Sequence, residues 1–244
     1  MRHPLENTWL KLKRADKHLN EIQRKFDNFA ARDPYRSVRY TDPERGYRIY
    51  KTQWLRNPPK SVGPVIGDAV HDMRSSLDNL AWALALTKTK TPGRQTAFPL
   101  FKQRNDGRFK PMVRDIPDAA QKIIEELQPH NSSDLAGKHP LAVLDYLSNL
   151  DKHQVLVPIG TLINAPVRHI PGASMVRLDD RQIQVELPID VDPGAYFEEN
   201  FTFQITIRVP AFAPNGLDFY RLRDISQFIR QDVIPRFMCF FPVP

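Results

Sequence analysis

The sequence predicts an α+β protein: a helical bundle, an antiparallel β-sheet and a C-terminal helix. Three observations carry that prediction. Residues 4–31 and 63–86 repeat apolar side chains at intervals of three and four, the period of one helical face. The stretch FTFQITIRV (201–209) alternates apolar and polar residues without a break, as a half-buried antiparallel strand does. The order is helices, then strands, then a helix, which suits segregated layers rather than βαβ repeats.

The first helix, 4–31, carries Leu12, Ala15, Leu19, Ile22, Phe26 and Phe29 on one face, and Pro34 stops it. YRSVRYTDPERGYRIYKT (35–52) reads as a β-hairpin, because Tyr, Val and Ile favour strands and TDPERG supplies a turn. The second helix runs over 63–86, with Ile66, Val70, Met73, Leu77, Leu80 and Leu84 facing the core. TAFPLF (96–101) is an apolar anchor. A short helix follows over 116–128, with Pro117 near its start and Pro129 beyond its end. Another covers 139–152, with Pro140 near its N-terminus and Leu141, Leu144, Leu147 and Leu150 in its stripe.

QVLVPIGTLI (154–163) reads as a strand, and SMVRLDDRQIQVELP (174–188) as a hairpin turning at Asp179-Asp180. In 201–209, Phe201, Phe203, Ile205, Ile207 and Val209 take the apolar face. The last helix carries Phe219, Leu222, Ile225, Phe228, Ile229 and Val233, and Pro235 interrupts it. The reading is a single domain, 1–244. Its sub-regions are 1–153 (mainly helical, with the hairpin), 154–213 (sheet) and 217–238 (C-terminal helix).

The 244 residues suffice for a substantial core, and 41% hydrophobic with 26% charged residues is ordinary for a soluble globular chain. No apolar run approaches the roughly 20 residues that span a bilayer. No membrane partner is expected on that ground, and MRHPLENTWLKLKR, with no apolar leader segment, is not expected to be a signal peptide. The single cysteine, Cys239, excludes an internal disulfide scaffold and a zinc ribbon; it reads as a buried thiol in a reducing cytoplasm. Twenty-two prolines against ten glycines imply many short elements with stiff connections.

The net charge of +7 is unevenly placed. Residues 1–60 hold 15 Lys/Arg against 7 Asp/Glu, and the remainder holds 20 against 21. Such a surplus points to RNA or another polyanion as partner. The hairpin interleaves arginines with tyrosines, a composition able to neutralise and stack a nucleic-acid strand. Its nucleic-acid-binding candidates are Arg36, Arg39, Arg48, Lys51 and Tyr47. The alternative is an exposed two-stranded sheet whose tyrosines pack on helices.

GDAVHDMRSSLDNLAWALA (67–85) concentrates the remaining chemistry. His71, Ser75 and Asp78 fall opposite the core face, Arg74 borders both, and the pairs 71/74 and 74/78 are within reach on a helix. Trp82 continues that face, so the face is expected to be partly covered and to line a groove. In the functional reading, Arg74 binds a phosphate and His71, a side chain suited to proton transfer near neutrality, moves protons. In the alternative, Arg74 and Asp78 form a surface ion pair contributing about 0.3–0.5 kcal/mol. A second cluster, Asp151-Lys152-His153, ends a helix. The helix dipole accounts for Lys152 and His153 there but not for Asp151. The catalytic candidates are therefore His71, Arg74, Asp78, Asp151 and His153. No HExxH, Walker loop, GxGxxG or GxSxG is present, and neither metal nor cofactor is expected.

GDAVHDMRSSLDNLAWALA, then FPLF, LQPH and HPLAVLDYLSNLDKHQVLVP, resembles an uncharacterised bacterial family marked by G-D-A-x-H-x-L-R-S-x-L-D-x-L-A, F-P, Q-P and L-S-x-x-D-K-H. These landmarks cover about residues 67–158 and imply no activity of their own. The helical part is also similar, more loosely, to HEPN domains. That likeness implies a metal-independent ribonuclease site at a homodimer interface, built from an arginine and a following histidine. Arg74 takes the arginine position. Positions 79–81, where the histidine is due, hold Asn79, Leu80 and Ala81, so His71 or His153 would have to supply it in space.

Overall fold

The structure is a computed structural model describing residues 3–132, 138–163, 171–178, 182–192, 202–212 and 216–241. The class is α+β. Among the described residues there are six α-helices and two antiparallel sheets of seven strands in all. No helix among them is long and apolar enough to cross a membrane. The chain divides into two compact units, one of Met1–Ile22, Gly63–Leu156 and Phe219–Pro244, the other of Gln23–Val62 and Val157–Asp218. Both units are discontinuous in sequence.

The helical unit contains the first part of α1 (Glu6–Ala30), α2 (Val62–Leu86, from Gly63), α3 (Asp106–Val113), α4 (Asp118–Glu126), α5 (Pro140–Asp151) and α6 (Tyr220–Phe228). Leu12, Ala15, Leu19 and Ile22 of α1 are buried, and so are all six core residues expected on α2. TAFPLF anchors as expected, with Phe98 and Leu100 buried. Asp72 of α2 is also buried, which a carboxylate tolerates only when paired. Lys11 Nζ donates to its Oδ1 at 2.8 Å, while Arg14 Nε and His18 Nε2 stand 3.4 and 3.5 Å from its Oδ2. Three α1 side chains, spaced three and four apart, thus tie α1 to α2.

Helix α3 was not expected. Its sequence, DGRFKPMV, contains Gly107 and Pro111, both poor helix formers. Its start is held by Asn105, whose side chain accepts from Arg108 N at 3.2 Å. At the other end of the unit, α6 is shorter than the helix expected over 217–238. It widens into a π-helical turn at Ile229–Val233 and tightens into a 3₁₀ helix at Ile234–Phe240. Pro235 explains the break, since its ring excludes the carbonyl four residues back and it lacks an N–H. The three-residue period buries Ile234 and Phe237 and turns Cys239 outward, so the expected buried thiol is exposed.

The strand unit holds a four-stranded sheet, ordered β1 (Tyr35–Asp42), β2 (Tyr47–Trp54), β5 (Gln182–Pro188), β4 (Ser174–Arg177). The expected hairpin is present, with Tyr35 opposite Trp54 and Asp42 opposite Tyr47, and its turn is fixed by Asp42 Oδ1 accepting from Arg45 N at 3.1 Å. β2 also pairs with β5, a strand more than a hundred residues downstream. One face of this sheet builds a core of Tyr50, Trp54, Ile183, Val185 and Leu187 with Phe29 from the end of α1. The Phe29 and Trp54 rings stack at 6.2 Å. The proposed turn residues Asp179-Asp180 lie outside the described residues.

The second sheet is ordered β3 (Val157–Ile163), β6 (Thr202–Arg208), β7 (Leu217–Asp218). Ile207 and Val209 are buried as expected, while Phe201 lies outside the described residues. Thr206, expected on the polar face, is buried too. A β-carbon at Gly216 would stand 2.8 Å from Thr206 Oγ1, so the backbone entering β7 covers the threonine.

Candidate functional site

Gly63, Gly67, His71, Arg74 and Asp78 recur at helical spacing along one side of α2. The chain leaving α5 is pressed against the first two. A β-carbon at Gly67 would stand 2.3 Å from Asp151 Oδ1, and one at Gly63 would stand 2.4 Å from Leu156 O. Only glycine admits that approach. The close packing brings the Asp151 carboxyl onto α2 one turn from His71.

Further along, Arg74 is clamped. Its Nη2 donates to Asp78 Oδ1 at 3.0 Å and to Phe98 O at 2.7 Å. Phe98 N donates to the same Asp78 Oδ1 at 3.1 Å. The apolar anchor at 96–101 therefore closes over this part of α2. Gln128 holds the anchor in turn, donating to Pro99 O at 2.9 Å and accepting from Phe101 N at 3.0 Å. Arg74 Nη1 is buried and meets no hydrogen-bond partner among the described residues, a state that Thr8 Oγ1 of α1 shares. Buried donors are ordinarily satisfied by protein or by ordered water.

The electrostatics link α2 to α5. Burial pushes the Asp78 carboxyl above the ordinary carboxylate range, against the opposing pull of Arg74, the Phe98 N–H, Lys152 and His71. Arg74 and Phe98 N both donate to Oδ1 and favour its charged form, and burial of the carboxyl outweighs them. Burial likewise raises Asp145 on α5, with Arg74, Lys102, Asn149 and Lys152 acting in the other direction. Asp151 is raised by burial first and by the like charge of Asp68 second, and His71 lowers it. Three carboxyls thus hold protons to higher pH than free side chains do, within the influence of His71, Arg74, Lys102 and Lys152.

Of the catalytic candidates, His71, Arg74, Asp78 and Asp151 come together. His153 does not: it stands exposed past the end of α5 and takes no part in the carboxylates' electrostatics. His71 is exposed, with its Nε2 3.3 Å from Ser75 Oγ. Trp82 remains 43% exposed, so the groove expected beside it is not built there; the cover lies over Arg74 and Asp78. Asp145 and Lys102 were missed as site residues, and Lys152 was assigned to the helix dipole alone. Gly63 and Gly67, four apart, were the signal that another segment lies on this side of α2. Among the described residues no group of three His, Cys, Asp or Glu side chains is arranged to hold a metal ion.

The nucleic-acid candidates divide between the two faces of the four-stranded sheet. The register puts Arg39 and Arg48 on the core side, where Arg39 lies over the Tyr50 ring at 5.6 Å. Arg48 is engaged internally, donating to Val191 O at 3.1 Å and Ile189 O at 2.6 Å. Arg36, Tyr47 and Lys51 lie on the opposite face. Comparison with family models, curated proteins and solved structures gives no match to this chain.

Proposed function

We propose that the chain is an RNA-directed protein whose α2–α5 cluster is a HEPN-like, metal-independent phosphodiester site. The observation that carries the reading is the buried Arg74 Nη1, an unpartnered cationic donor one turn from the exposed His71. A phosphate oxygen is the acceptor that best suits a guanidinium. His71 takes the proton from a ribose 2′-hydroxyl, and O2′ attacks phosphorus. The bond to O5′ breaks, and the leaving oxygen receives a proton from Asp78 or Asp151, whose raised pKa values suit a general acid. The products are a 2′,3′-cyclic phosphate and a 5′-hydroxyl. His71 precedes Arg74 here, in place of a histidine at 79–81. The likeness extends the proposal to a homodimer, and the lone Cys239 supports a reducing cytoplasm.

The test uses purified protein and labelled single-stranded RNA in the presence of EDTA. Cleavage persists in EDTA and falls by about 100-fold or more in His71→Ala, the scale of a lost acid–base group. Arg74→Ala is expected to fall comparably. A second reading, a non-catalytic interaction or regulatory module, is favoured by the Arg74 clamp on Phe98 and by the Gly67–Asp151 contact, which brace α2. Absence of cleavage, with the two variants only lowering the melting temperature, overturns the nuclease reading and supports the second.

A further inference from the structure

We propose that the open face of the four-stranded sheet is a platform for single-stranded RNA, an inference that rests on the RNA-directed reading and names the surface that holds the strand. The register places Arg36, Val38 and Tyr40 of β1 on the same face as Tyr47, Ile49 and Lys51 of β2, with Tyr40 opposite Ile49 and Val38 opposite Lys51. Core residues Tyr50 and Trp54 point the other way. Tyr40 is 46% exposed, Arg36 is exposed, Lys51 is half-buried and Ile49 is buried. Along β1 these side chains repeat at about 6.7 Å, two strand residues. Lys51 is thus the diagonal neighbour of the Tyr40 ring on the next strand, and Arg36 lies about 13 Å along β1, beyond Val38.

The acids on this face are engaged. Glu186 takes both Arg45 Nη1 and Nη2, at 3.1 and 2.9 Å, and Gln184 Nε2 at 2.8 Å; Asp42 accepts from the backbone of the turn. Arg45 also lies over the Tyr47 ring at 5.7 Å. The face therefore offers positive charge and an open aromatic ring together. Charge alone would serve any polyanion, but the ring selects a ligand with flat π faces between its charges. A base stacks on Tyr40 while Lys51 holds the adjoining phosphate and Arg36 a phosphate further along the same strand.

The test is fluorescence anisotropy with a short, labelled 2′-O-methyl oligouridylate, which cannot be cleaved through its 2′-oxygen. Tyr40→Ala weakens binding about tenfold, Tyr40→Phe retains it, and Tyr220→Ala, an exposed aromatic elsewhere, leaves it unchanged. Arg36→Glu with Lys51→Glu flattens the salt dependence by about 0.7 in log–log slope per lost contact. Melting curves verify that each variant folds. Wild-type affinity in Tyr40→Ala overturns the platform, as does heparin or polyglutamate binding as tightly and with the same variant sensitivity. Failure of the wild type to bind the oligonucleotide also overturns it, whereas cleavage lost in Arg74→Ala is read separately and judges the α2–α5 site.

Discussion

Asp72 shows how much one side chain can organise. Its carboxylate is buried against Lys11, Arg14 and His18, yet Lys11 and Arg14 keep access to water. Removing it costs the charge-assisted hydrogen bond without stranding a fully buried cation. Asp72→Ala is expected to lower stability by about 2 kcal/mol, read as a shifted urea midpoint with an unchanged slope. The carboxyls of the site make a different prediction. Asp78, Asp145 and Asp151 are all raised, so the folded chain binds their protons more tightly than the unfolded chain does. Stability then falls as pH climbs from the ordinary carboxylate range through the raised values. Asp145→Asn removes one such group: it melts above the wild type at neutral pH, and the gap closes in acid. Asp72 was not legible as a buried residue because it sits at the border of α2's core stripe. Only the presence of α1 decides which side of that border it joins.

Among the elements, the close approach of the end of α5 to α2 builds the site. Glycine in a helix interior ordinarily costs about 0.5–1 kcal/mol relative to alanine. At Gly67 the order reverses, because an alanine β-carbon would strike the Asp151 carboxyl. Gly67→Ala is expected to destabilise by about 1–3 kcal/mol, the scale of overpacking. Asp151→Ser in the same chain recovers part of that loss, and a double-mutant cycle in urea measures the coupling. The helices with long apolar stripes, α1 and α2, were legible from period alone. Helix α3 was not, since Gly107 and Pro111 hide it and a single cap at Asn105 carries its start. The π turn before Pro235 was legible only as an interruption: the proline says that the helix breaks, not how the preceding turn relaxes.

For the molecule as a whole, the α+β class follows from patterns of period 3.6 and 2, and those survive folding intact. The assembly of one sheet from residues 35–54 and 174–188 does not follow from them. Alternation shows that a strand has two faces, but it does not name the strand beside it. The charge surplus of the first 60 residues is likewise reinterpreted by the fold. Lys11 and Arg14 neutralise Asp72, Arg45 holds Glu186, and Arg48 caps two carbonyls. What is left for a polyanion on the sheet's open face centres on Arg36 and Lys51. The polar side chains of α2 and the end of α5 were legible as two clusters, while their meeting was not, because the glycines that permit it carry no charge to notice.

The most direct measurement is arginine-guanidinium NMR of the ¹⁵N-labelled chain, titrated to saturation with a 2′-O-methyl oligonucleotide, with Arg74 assigned through Arg74→Lys. The Arg74 resonances are expected to shift, and their exchange with water to slow, as Nη1 gains a phosphate acceptor. Arg74 resonances that stay in place at saturation, with the oligonucleotide bound elsewhere, would contradict that expectation.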